Sequence, residues 1–75
     1  MELIKSDVKF KVNGKQIEFS VIHNLPNEFG TSFEMALDNW LARTEKYTSE
    51  SLVNYIKEKS PEYIVLTEEK YNDML

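Results

Sequence analysis

The chain has 75 residues, with 13 acidic and 9 basic side chains for a formal net charge of −4, one histidine and no cysteine. That length predicts one compact domain over 1–75, near the size where a single core supplies only about 3–5 kcal/mol. The missing thiols exclude disulfides and thiolate nucleophiles, and a lone histidine excludes a His cluster for zinc.

The N-terminal stretch Met1-Glu2-Leu3-Ile4-Lys5-Ser6-Asp7 is charged within a few residues and lacks the apolar run of a secretory signal. No segment approaches the ~20 apolar residues needed to span a bilayer. A soluble, cytoplasmic protein is therefore expected. Next comes a β-hairpin whose register is readable. Val8-Lys9-Phe10-Lys11-Val12 alternates apolar and basic, Asn13-Gly14 supplies a type I′ turn, and Ile17-Glu18-Phe19-Ser20-Val21 alternates again. A two-residue loop sets Phe10 opposite Ile17 and Val8 opposite Phe19, with Lys9 opposite Glu18 and Lys11 opposite Gln16 on the other face. A one-residue slip would undo both matches.

His23-Asn24-Leu25-Pro26-Asn27-Glu28-Phe29-Gly30 reads as a connection. Parity places His23 on the core side, where a half-buried ring bonded to a loop carbonyl is expected rather than a catalytic base. Thr31-Ser32-Phe33-Glu34 has capping-box spacing and opens a helix running to about residue 46. Its apolar face carries Phe33, Leu37, Trp40, Leu41 and Thr44. Thr48 or Ser49 opens a second helix with Glu50 in its positive first turn. Leu52, Val53 and Ile56 form its buried stripe, and Ser60-Pro61 stops it. Tyr63-Ile64-Val65-Leu66 reads as a strand covered on both sides. Thr67 caps a final short helix carrying Tyr71, Met74 and Leu75, with Leu66 and Tyr71 as a hydrophobic staple. The fold class is α+β, in the order ββααβα, with helices on one face of a small antiparallel sheet.

The last segment, from Tyr63 through Val65, Thr67, Glu68, Glu69 and Tyr71 to Leu75, resembles the strand-to-helix piece of Phd/YefM-type antitoxins. Those proteins place the hairpin directly before that helix and begin with a helical DNA-binding half. Here the hairpin comes first and two helices intervene, so the resemblance implies no site residue.

Charge is unevenly spread. Residues 1–30 balance, with four lysines and four acids, while residues 31–75 hold nine acids against five bases. Such a surface repels phosphate and attracts basic partners. The two glycines are used by the hairpin turn and the helix lead-in, leaving no phosphate-cradling loop. The acids sit at helix starts and outer faces rather than in apolar runs that would raise their pKa. No enzymatic activity, cofactor or metal is expected. The expected function is a non-enzymatic inhibitor or regulator that occupies a basic protein surface, such as that of a nucleic-acid-binding enzyme. Size and charge suit a phage or mobile-element inhibitor of the anti-CRISPR kind. Its contact residues are Glu62, Glu68, Glu69 and Asp73, with Tyr63 and Tyr71 as amphipathic anchors. Two alternatives are a homodimeric regulatory or structural module hiding exposed Met35 and Ile22, and a nucleic-acid binder using Lys5, Lys9 and Lys11. Lysines on an edge strand also protect it against aggregation.

Overall fold

A computed structural model of the chain describes residues 2–26 and 32–75. Thr31 of the expected capping box and residues 27–30 of the expected connection lie outside them. The elements are β1 (Ile4–Val12), β2 (Lys15–His23), α1 (Ser32–Arg43), α2 (Ser49–Lys59), β3 (Val65–Thr67) and α3 (Glu68–Asp73). Asn13 at φ 51° and Gly14 at φ 81° both lie in the left-handed region, as a type I′ turn requires. The register follows: Val8 faces Phe19, Phe10 faces Ile17, Lys9 faces Glu18 and Lys11 faces Gln16. The ladder continues to Ser6 with Val21 and Ile4 with His23, so the hairpin is longer at its open end than the alternation alone indicated.

The sheet order is β1-β2-β3, all antiparallel, with Val21 paired to Thr67 and His23 to Val65. The third strand differs from expectation. It starts two residues later, and Ile64, which precedes it, is 37% exposed, while Val65 is buried. The cause is position: β3 is an edge strand whose one strand neighbour is the end of β2. Asn24 completes that attachment, its N–H donating to the Ile64 carbonyl at 3.1 Å and its Oδ1 accepting from the Ile64 N–H at 2.7 Å.

α1 and α2 cover the face bearing Val8, Phe10, Phe19 and Val21. Trp40 is buried at the centre, edge-on to Phe10 and Phe19 with ring centroids 5.8 and 6.1 Å away. Tyr47, from the α1–α2 connection, packs on the same indole at 6.0 Å. α1 ends at Arg43 rather than near 46. The Thr44 hydroxyl explains the stop: it donates to the Lys46 carbonyl at 2.8 Å and accepts from the Lys46 N–H at 3.1 Å, folding the chain back. The same hydroxyl meets Ser51 Oγ at 3.1 Å, which in turn accepts from Trp40 Nε1–H at 3.1 Å. One donor direction satisfies every group: indole to Ser51, Ser51 to Thr44, Thr44 to the Lys46 carbonyl. Thr48 caps α2 by accepting from the Ser51 N–H, and Leu52, Val53 and Ile56 are its buried residues. Thr67 caps α3 by accepting from the Lys70 N–H, and α3 buries no residue of its own.

Candidate protein-binding surface

The expected contact residues fall into three places. Glu62 is exposed in the turn before β3, and Tyr63 beside it is half-buried and packs against the core. Glu68 points back over the sheet, where its Oε2 lies 2.8 Å from Lys5 Nζ. Hydrogen bonding and the charge of Glu68 raise the Lys5 pKa above its ordinary value. Glu69 and Asp73 are exposed and line an open cleft of about 350 Å³ between α2 and α3, together with Glu50, Lys57 and Lys70. Tyr71 is half-buried on α3. The arrangement thus separates Glu68, which ties the last helix to the first strand, from Glu69 and Asp73, which face the second helix.

Ile22 is not the exposed apolar residue expected from its parity. It is 5% exposed, whereas Met35 on α1 is 55% exposed as expected. In register, Ile22 lies between Lys5 and Leu66, and α3 packs against β2 there. The Lys5–Glu68 ion pair joins β1 on one side of it to the start of α3 on the other. A residue that reads as surface on a two-stranded hairpin is covered once the third strand and its following helix arrive.

The lysine face is also less basic than its spacing indicated. Asp7 lies on it between Lys5 and Lys9, and its Oδ1 accepts from the Ser20 hydroxyl at 2.6 Å. Glu18 stands opposite Lys9 and accepts from Gln16 Nε2 at 3.2 Å. Asp7 and Glu18 therefore interrupt the lysines of this face, which do not form an unbroken basic stripe for a phosphate backbone. The odd-numbered parity that grouped the lysines also contains Asp7, and that signal was available in the sequence.

His23 is fully buried, not half-buried, and its partner in the loop is a donor rather than a carbonyl. Nδ1 accepts the Leu25 N–H at 3.1 Å, which leaves Nε2 protonated and donating to Ser6 Oγ at 2.7 Å. The ring stacks on Phe33 with centroids 4.4 Å apart and planes 2° from parallel. Burial pushes its pKa below the ordinary histidine value. Both nitrogens are committed to holding β1, β2 and the start of the following loop together, which is a structural duty. Among the described residues no group of three or more His, Asp or Glu side chains is placed to hold a metal, and no helix is long and apolar enough to cross a membrane.

Comparison with protein-family models, curated proteins and solved structures finds no match.

Proposed function

We propose that this protein is a non-enzymatic inhibitor or regulator that engages a basic surface on another protein through the carboxylates around β3 and α3. The observation that supports this most is the character of α3. It buries no residue, yet it carries Glu69 and Asp73 exposed, and no ion pair within the described residues engages them. A helix with no buried residue of its own is well suited to present charge outward. Carboxylates spaced along a helix can substitute for phosphates on a nucleic-acid-binding protein, with a phage- or mobile-element-encoded blocker of a nuclease as the finer form of the reading. The broken lysine face supports a protein partner over DNA or RNA.

The test is capture of partners from the native host followed by charge reversal. Glu62→Lys, Glu69→Lys and Asp73→Lys together, each exchange adding two charges, take the net charge from −4 to +2. Glu68 is left in place because it holds Lys5. Binding should weaken by several kcal/mol, since a close charge pair at an interface contributes ~1.5 kcal/mol or more. Affinity for the captured partner should also fall with added salt, with no retention of DNA by the wild-type protein in a gel-shift assay. Unchanged binding by a well-folded triple variant, or a partner without basic character, sinks the reading.

A further inference from the structure

The free edge of β1 is the longest unpaired backbone in the described fold. β3, at the opposite edge, spans only Val65–Thr67, whereas β1 runs from Ile4 to Val12 and has a strand neighbour, β2, on one side alone. The hairpin turn determines which of its groups point outward. A two-residue loop closes on a hydrogen-bonded pair, here Val12 with Lys15, so even-numbered residues of β1 bond to β2. The N–H and C=O groups of Lys5, Asp7, Lys9 and Lys11 are therefore directed at the open edge.

We propose that β1 pairs antiparallel with β1 of a second copy of this chain, on a two-fold axis through Val8, forming a continuous six-stranded sheet. Val8 is the midpoint of the strand, so this is the register in which every residue of β1 finds a partner. It sets Asp7 of each copy opposite Lys9 of the other, on both sides of the axis. Lys5 then faces Lys11, but Lys5 is already engaged by Glu68 at 2.8 Å, which relieves the repulsion. On the other face, Ile4, 37% exposed in the single chain, meets Val12 of the second copy.

Competing registers are poorer. Centring on Asp7 stacks Asp7 on Asp7 and Lys5 on Lys9, while centring on Lys9 stacks Lys9 on itself. Parallel pairing in register puts every residue on its own copy, lysine on lysine at Lys5, Lys9 and Lys11 and Asp7 on Asp7. A strand from an unrelated protein would gain the same backbone bonds, but the pattern symmetric about Val8 favours a second copy. This inference is independent of the acidic-surface reading, because β1 carries none of the carboxylates invoked there.

Sedimentation equilibrium on the full chain tests it. The wild type should show twice the chain mass, with dissociation to monomer on dilution. Asp7→Lys alone and Lys9→Asp alone should each weaken self-association by about tenfold or more, through like charges opposed on both sides of the axis. The double exchange Asp7→Lys/Lys9→Asp should restore it, an outcome that loss of folding cannot imitate. Lys9→Pro should also give a monomer, because the lost N–H faces outward and an edge strand tolerates proline there. Tryptophan fluorescence from Trp40 checks that each variant is folded. A wild type that stays monomeric at the highest soluble concentration overturns the proposal. So does a dimer insensitive to the single exchanges, or a double exchange that fails to restore association.

Discussion

At the scale of single residues, His23 makes the most specific demand on its surroundings. It must remain neutral, because protonating Nδ1 turns the acceptor of the Leu25 N–H into a second donor. Its folded pKa lies below the unfolded value of about 6.5, so the unfolded chain binds the proton first as pH falls. The stability it contributes is therefore fully present above about pH 6.5 and is lost as pH falls from there towards the folded pKa. One proton limits the slope to about 1.4 kcal/mol per pH unit. Urea denaturation between about pH 7.5 and pH 5.5 should show this loss in the wild type. In His23→Gln the curve should be lower throughout but nearly flat. Equal slopes in the two proteins would show that His23 is not the titrating group. That His23 faces the core was legible from strand parity. Its tautomer and depth were not, because they depend on Ser6 from the neighbouring strand and on Phe33 from the next element.

At the scale of elements, the hairpin was readable because its information is local. Alternation sets the faces, Asn13-Gly14 sets the turn, and a short loop fixes the register. Nothing lies within 4 Å of a Cβ built on Gly14, so substitution there meets no clash and its cost comes from backbone conformation alone. Gly14→Val should cost at least about 1–2 kcal/mol, since a β-branched residue resists φ of +81°. Gly14→Asn, with a residue that accepts positive φ, should recover most of that in thermal or urea melts. If the two variants melt alike, the turn does not require its left-handed conformation. The limits of the other elements depend on distant partners. A period of 3.6 continues through Thr44, but its hydroxyl takes the Lys46 backbone and ends α1. An uninterrupted apolar run at 63–66 looks the same whether a strand is central or at an edge. Its pairing with β2 was decided by residues 21–23, which a local reading does not connect to it.

At the scale of the whole molecule, the acids expected to act together are divided by the fold, with Glu68 turned to Lys5 and Glu69 and Asp73 turned to α2. The acidic half is legible in the sequence, but which acids are already engaged depends on β3 bringing the chain's end beside its beginning. That closure also has a consequence in time. The hairpin closes a loop of two residues, whereas β3 must join Val65 to His23 and Thr67 to Val21 across most of the chain. Loop entropy favours early formation of the first and late formation of the second. Val65 is buried at that late junction, and Val65→Ala should cost about 2 kcal/mol. In stopped-flow chevrons the whole of that cost should appear as unfolding about 30-fold faster, with the refolding rate nearly unchanged, while Gly14→Val should mainly slow refolding. The end of β2 would then be the place where the native state first comes apart, releasing the acidic helix before the aromatic cluster around Trp40 gives way.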